Sequence, residues 1–139
     1  MSAELDLAVM PVGSPELAIR GADIVIVATS SPTPVFDGAL IEPGMHVTTI
    51  RLGASSHELD ASVAGKAAAI FSDSLEQVRN YQGGFFLPEK LDEMTDLAEH
   101  VADGAPIRTS PDDITLYCSA GLAGTDVVVA DVALRKRGR

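Results

Sequence analysis

The stretch "ADIVIVAT", residues 22–29, contains mostly β-branched and other apolar side chains, with no polar alternation. A strand that is apolar at successive positions is buried on both faces, as in a parallel sheet covered by helices. The run ends at "SSPTP", residues 30–34, a polar and proline-rich segment that favours a loop. These residues predict a buried parallel strand whose carboxyl end opens into a loop.

Strand-like and helix-like segments alternate outward from this stretch. Further strands are predicted at residues 46–52, 67–73 and 114–119, and at 5–12 on the margin of the sheet. Helices are predicted after the caps Ser14 and Ser74, at 88–104 and at 121–137. The alternation predicts an α/β fold: a partial Rossmann-like, mainly parallel sheet of about five strands, with flanking helices and a long C-terminal helix.

The overall composition restricts the classes of partner. The net charge of -10 argues against a nucleic-acid surface, which needs clustered Lys and Arg. No signal peptide is visible and no apolar run approaches the ~20 residues of a membrane span, so a cytoplasmic location is expected. The single cysteine, Cys118, excludes an internal disulfide and is more consistent with a buried, inert thiol than with a nucleophile.

Candidate ligand-binding residues follow the predicted strands, because open parallel sheets bind ligands at the carboxyl ends of their strands. These positions are small or carry hydroxyls, namely Thr29, Ser30, Gly53, Ser119, Ala120 and Gly121. Small residues let a ligand approach the backbone, and the N–H groups of a helix start favour an anion. The alternative is that these residues form turns or cap helices.

The histidines and the paired acids give weaker signals. His57 lies on a loop at the ligand edge and is a weak catalytic candidate. His46 is expected to make a structural hydrogen bond, and His100 to face solvent. No histidine has metal-ligand spacing to another histidine or to Cys118, so no metal site is predicted. The pair at residues 112–113 is interpreted as solvated loop charges or as a capping segment.

Six segments together resemble the ornithine cyclodeaminase/μ-crystallin family. They are "VATSS", "PVFDG", "PGMHV", "HELD", "SDSLEQ" and "RTSPDDITLYCSAGLAGTD", and the resemblance covers nearly the whole chain. It implies an NAD or NADP cofactor and a small amino acid or cyclic imine as substrate. Carried over by position, Thr29 contacts the dinucleotide, Ile50 and the loop through Gly53 lie beside the nicotinamide, and the turn at residues 119–121 closes over it.

Two departures from the family pattern limit the expected activity. The segment "RLGASS", residues 51–56, has no aspartate near Gly53, where cyclodeaminases carry their acid/base, so reduction or deamination is expected rather than cyclisation. The chain also has no GxGxxG segment and no N-terminal substrate and dimerisation domain. Residues 1–119 are thus interpreted as a partial NAD(P)-binding domain, and 120–139 as a helix that packs on the domain that is missing here.

These departures carry expectations for the isolated chain. Alone it is expected to bind NAD(P) weakly or not at all and to be inactive, and to form a homo-oligomer or require a complementing chain. The alternative is a non-catalytic ligand-binding or interaction module that keeps the fold.

Overall fold

The computed structural model describes residues 6–50, 58–81, 87–122 and 124–137. Its strands are β1 (Ile24–Val27), β2 (His46–Thr49), β3 (Ala69–Ser72), β4 (Met94–Asp96) and β5 (Thr115–Cys118). They form one sheet in the order β1-β2-β5-β3-β4, and every neighbouring pair is parallel. The predicted α/β class with a parallel sheet is confirmed.

The helices are α1 (Pro15–Ile19), α2 (Ala61–Lys66), α3 (Leu75–Arg79), α4 (Leu97–Asp103) and α5 (Thr125–Arg137). Two 3-10 helices occupy Gly38–Leu40 and Pro88–Glu93. The predicted caps are confirmed, since the side chains of Ser14 and Ser74 each accept a hydrogen bond from the first turn of α1 and α3. Gly104 ends α4 at φ +64°, a left-handed conformation that glycine adopts at little cost.

The core lies on the sheet face formed by alternate residues of the central strands. Val47, Leu116 and Cys118 have no exposed surface, and Ile70 and Met94 extend the same apolar layer outward. The opposite face is half-buried and carries more polar side chains. There His46 bonds the hydroxyls of Thr115 and Thr48 at 2.8 and 3.1 Å, the structural role expected from the sequence.

Three boundaries differ from the sequence prediction. Residues 6–12 form no strand in the structure, and Met10 among them is 82% exposed. The helix predicted at 88–104 is interrupted by β4, which pairs with β3, and Asp96 then caps α4. The last helix begins at Thr125 rather than at Gly121, so the turn after β5 is not a helix start.

Two apolar surfaces of the fold have little cover within the described residues. Strand β1 pairs only with β2, and its Ile24 and Ile26 are 61% and 68% exposed, so the burial on both faces that the sequence predicted for this strand is wrong. No described side chain of α5 is buried, and Val127 and Leu134 are 71% and 68% exposed. The apolar helix predicted from the sequence is therefore present, but none of its described side chains is buried.

Candidate functional site

The carboxyl ends of three adjacent strands bring the predicted cofactor residues into one row. Thr29 follows β1, Ile50 follows β2 and Ser119 follows β5, and these strands are neighbours in the sheet. The Ser119 N–H donates to the carbonyl of Thr49 at 2.9 Å, which fixes the end of β5 against that of β2. Thr29 and Ile50 are exposed and Ser119 is half-buried. The row is thus open to a ligand along the edge of the sheet.

Glu58 lies beneath this row with no exposed surface. Its carboxylate accepts four hydrogen bonds, two at each oxygen. The N–H and the hydroxyl of Thr29 donate to Oε2, both at 2.7 Å, and the Thr49 hydroxyl and the Ile50 N–H donate to Oε1 at 3.0 and 3.1 Å. Burial alone would raise the pKa of Glu58, but the hydrogen bonds from Thr29, Ile50 and Thr49 outweigh it, and the net pKa is lowered.

Asp73 is a second carboxylate that accepts main-chain hydrogen bonds, here from the turn after β5. This residue follows β3, and its carboxylate accepts hydrogen bonds from the Ala120 N–H at 2.5 Å and the Leu122 N–H at 2.9 Å. From α3, the side-chain amide of Gln77 donates to the carbonyls of Ala120 and Gly121 at 2.9 and 3.2 Å. The turn is therefore held by hydrogen bonds from two of its N–H groups to Asp73 and from Gln77 to two of its carbonyls.

A cavity of about 220 Å³ opens beside the turn and is lined by polar and small groups. Its lining includes Asp73, Tyr117, Ser119, Gly121, Leu122, Thr125 and Asp126. Burial raises the pKa of the Tyr117 hydroxyl, a hydrogen bond with Ser119 partly offsets this effect, and the nearby Asp73 carboxylate adds to it. Tyr117 is therefore neutral near neutral pH and can donate a hydrogen bond.

The anion site predicted at the turn does not have the expected geometry. Helix α5 starts at Thr125, so its N-terminus lies beyond Ser119, Ala120 and Gly121. The N–H groups of Ala120 and Leu122 are occupied by Asp73, and the Gly121 N–H donates to the Ser119 hydroxyl at 3.3 Å. A carboxylate already stands where a phosphate would be bound.

The other sequence candidates are placed as follows. Ser30 lies exposed in the loop after Thr29. Gly53 and His57 lie outside the described residues. His100 was expected to face solvent but is half-buried, because it bonds the Thr95 hydroxyl at 2.8 Å and meets the edge of Phe71.

Two further candidates agree with their predictions. Cys118 is buried, which raises its pKa to about 12, so the interpretation as an inert thiol is confirmed. Asp113 accepts hydrogen bonds from Thr109 and from the Ser110 N–H, so of the two alternatives for residues 112–113 the structure favours the capping segment.

Glu58 was not among the sequence candidates, and Asp73, at the end of the strand predicted at 67–73, was noted at the ligand edge but given no role. Both stood in segments that carry the family resemblance, "HELD" and "SDSLEQ". The sequence does not show which groups donate hydrogen bonds to these two carboxylates, because the donors lie up to 49 residues away along the chain.

The described ranges contain neither a cluster of metal-binding side chains nor a membrane-spanning helix. Within residues 6–50, 58–81, 87–122 and 124–137, no three His, Cys, Asp or Glu side chains converge as a metal site would require. In those same ranges no helix has the length and apolar character needed to cross a bilayer.

Comparison with known proteins identifies relatives of this fold and edge. The chain is 35% identical over 125 residues to Δ1-pyrroline-2-carboxylate reductase of Paracoccus denitrificans, covering 85% of this chain and 39% of that protein. It is 31% identical over 116 residues to the rat ketimine reductase μ-crystallin, covering 81% of this chain and 35% of the relative.

A solved structure gives the same result. The Thermococcus litoralis Δ1-pyrroline-2-carboxylate reductase, in complex with NADH and L-proline, superposes with a TM-score of 0.83 at 33% identity, over 97% of this chain and 44% of the other. The chain thus spans less than half the length of these relatives. The model of the ornithine cyclodeaminase/μ-crystallin family matches residues 1–136. The chain belongs to the ornithine cyclodeaminase/μ-crystallin family.

Proposed function

We propose that this chain supplies the nicotinamide-side edge of an NAD(P)-dependent oxidoreductase that acts on a small cyclic imine or amino acid. The observation that carries the proposal is the row formed by Thr29, Ile50 and Ser119 at three adjacent strand ends. Its support from relatives is that the P. denitrificans and T. litoralis proteins are named Δ1-pyrroline-2-carboxylate reductases and the rat protein a ketimine reductase, and that the T. litoralis structure is a complex with NADH and L-proline.

The described residues fit the nicotinamide end of a dinucleotide better than the pyrophosphate end. Ala120 and Gly121 are small, so a flat ring can approach the backbone. The carboxylates of Glu58 and Asp73 occupy main-chain N–H groups that a phosphate would otherwise use. Their negative charge also disfavours a pyrophosphate at this position. The proposed division is therefore that this edge holds the nicotinamide and that another segment holds the phosphates.

When bound, the dinucleotide supplies or accepts the hydride, and the protein contributes binding and orientation. In the proposed site Ser119 and Tyr117 orient polar groups at the cavity, and the fastened turn keeps that geometry constant. Reduction or deamination is preferred over cyclisation, because the segment at residues 51–56 carries no aspartate near Gly53. Glu58 has no exposed surface and is therefore not presented to a substrate as a free acid or base. Cytoplasmic location is part of the proposal, motivated by the acidic, single-cysteine sequence.

A second polypeptide segment is part of this proposal. We assign residues 1–119 to a cofactor domain and 120–139, which contain the helix α5, to a part of the chain that packs on that second segment. An apolar cavity of about 390 Å³ lies beside β1, lined by residues of α1, β1 and the Val35–Phe36 pair. Exposed apolar surface of this kind marks interfaces. The partner is either a further copy of this chain or a chain that carries a pyrophosphate loop.

Complementation tests the proposal. This chain is co-expressed with the part of the P. denitrificans reductase that lies outside the matched segment, and oxidation of NADH is followed with Δ1-pyrroline-2-carboxylate as substrate. Each half alone is the control, together with a Val129→Asp variant of this chain, which places a charge on the exposed helix. We expect turnover with both halves and none with either alone. A well-formed complex without NADH oxidation would refute the proposed function.

The second candidate function is a non-catalytic interaction module. It is favoured by the exposure of α5 and of the β1 edge. The same experiment separates the two functions, since a module of this kind would form the complex without supporting turnover.

A further inference from the structure

Glu58 is a buried carboxylate that the proposed chemistry does not use. It has no exposed surface, and no ion pair within the described residues involves it. A buried carboxylate without compensating hydrogen bonds is strongly unfavourable. Here each carboxylate oxygen accepts two hydrogen bonds, which favours the ionised form. This arrangement requires an explanation beyond the filling of a core.

The four donors belong to two different strand ends. The last paired residues of β1 and β2 are Val27 and Thr49. Glu58 joins the two ends past this point, because one oxygen binds Thr29 and the other binds Thr49 and Ile50. The Glu58 main-chain carbonyl also accepts from the Val35 N–H at 3.0 Å, which ties down the return of the loop after β1.

The same contacts determine what Thr29 can offer to a ligand. Both its N–H and its hydroxyl hydrogen point to Glu58, and its hydroxyl oxygen accepts from the Ser31 N–H at 3.2 Å. The Thr29 hydroxyl therefore presents only acceptor capacity at the row. The sequence suggests Thr29 as a direct hydrogen-bond donor to the cofactor, but in the structure Glu58 holds the Thr29 side chain in one orientation.

We propose that Glu58 is the positioning residue of this edge: its ionised carboxylate fixes the ends of β1 and β2, and with them Thr29 and Ile50, in the geometry that receives the nicotinamide. The proposal rests on the proposed function for the identity of the ligand. Its geometric part, the fixing of the two strand ends, can be tested without any cofactor.

The key variant is Glu58→Gln, which keeps the size of the side chain but replaces one acceptor oxygen with an NH₂ group. Hydroxyls can reverse their role and accept from that group, whereas a main-chain N–H cannot. One of the two amides, that of Thr29 or that of Ile50, must therefore lose its acceptor. The matched control is Thr49→Val, which removes one hydroxyl donor and leaves the carboxylate and both amide contacts in place.

The readouts are amide chemical shift and hydrogen exchange at Thr29 and Ile50, and the KM for NADH in the complemented assembly, measured well below the melting temperature. In Glu58→Gln we expect one of the two amides to move upfield and to exchange about tenfold faster or more, and the KM to rise about tenfold, the loss typical of one hydrogen bond to a charged group. Thr49→Val should change neither amide by this amount.

The outcomes distinguish a failure of the positioning role of Glu58 from a failure of the proposed oxidoreductase function. If both amides and the KM are unchanged in Glu58→Gln while only the melting temperature falls, Glu58 is a structural residue and the proposal is overturned. If the wild-type assembly oxidises no NADH, the proposed function fails, and the amides alone decide. A changed chemical shift and faster exchange at the Thr29 or Ile50 amide would then support the proposal that Glu58 fixes the strand ends. Unchanged amides would overturn it. Should Glu58→Gln fail to fold, Glu58→Asp, which withdraws the carboxylate by one methylene, is read in the same way.

Discussion

Replacing Asp73 with Asn tests how the turn after β5 is held. The substitution preserves size but leaves one acceptor oxygen for two main-chain donors, the N–H groups of Ala120 and Leu122. One of them must then face an NH₂ group. A hydrogen bond to a charged acceptor contributes about 1.5–3 kcal/mol, and Asp73 is half-buried, so solvent screening reduces this value. We expect a loss of about 1–2 kcal/mol in the free energy of unfolding.

For a chain of 139 residues this loss corresponds to a melting temperature lower by about 3–6 °C. The assay is thermal unfolding followed by circular dichroism, with Asp92→Asn as the matched control, because Asp92 is exposed on the 3-10 helix. Gln77→Ala completes a double-mutant cycle, since Gln77 binds the carbonyls of the same turn. Melting temperatures of Asp73→Asn and Asp92→Asn that agree within error would show that Asp73 does not hold the turn.

The remaining predictions concern acid stability, thiol reactivity, the hydroxyls of the row and the helix α5. The folded-state pKa of Glu58 lies below its ordinary value, so its stabilisation is complete above the unfolded pKa and is lost as the pH falls through the folded pKa; urea unfolding from about pH 7 to about pH 3 should show a steeper loss in wild type than in Glu58→Gln, and parallel curves would contradict this. The Cys118 thiol, with its pKa raised to about 12, should react with a disulfide reagent only after unfolding, whereas stoichiometric labelling of the native chain at neutral pH would exclude a buried thiol. In the complemented assembly, Ser119→Val should raise the KM for NADH more than it lowers the melting temperature, whereas Thr29→Val should lower both stability and affinity because it also removes a donor to Glu58; the opposite ranking would reassign the two hydroxyls. Light scattering over a range of concentrations should show association that Val129→Asp weakens, and a concentration-independent monomer would show that the exposed face of α5 is not an interface.

The sequence was sufficient for the parts of the fold that local patterns dictate. The uninterrupted apolar run at residues 22–29 indicated a parallel sheet, and Ser14 and Ser74 marked helix starts because their side chains act on the adjacent turn. The strand β4 was missed because Met94 has the spacing of a helical apolar face, and only its pairing with β3 makes it a strand. The strand predicted at 5–12 is not found in residues 6–12. An apolar run alone does not make a strand, because a strand is stabilised only by pairing with its neighbours.

The candidate site followed the same division. Residues after strands could be located, so Thr29, Ile50 and Ser119 were correctly placed at one edge. The roles of Glu58 and Asp73 were not identified, because they depend on donors that only the folded sheet brings within hydrogen-bonding distance. The helix start predicted at Gly121 was wrong, since α5 begins at Thr125, and Asp73 occupies the Ala120 and Leu122 N–H groups that an anion at the turn would need.

This edge of the sheet is proposed to receive the nicotinamide end of a dinucleotide and not its phosphates. The most direct measurement is a titration of the ¹⁵N-labelled chain with reduced nicotinamide mononucleotide and, separately, with adenosine monophosphate, following the amide shifts. We expect weak, saturable shifts at Ile50 and Ser119 with the nicotinamide compound and none there with the adenine compound. Equal shifts at these amides with both compounds, or shifts confined to other parts of the chain, would contradict this proposal.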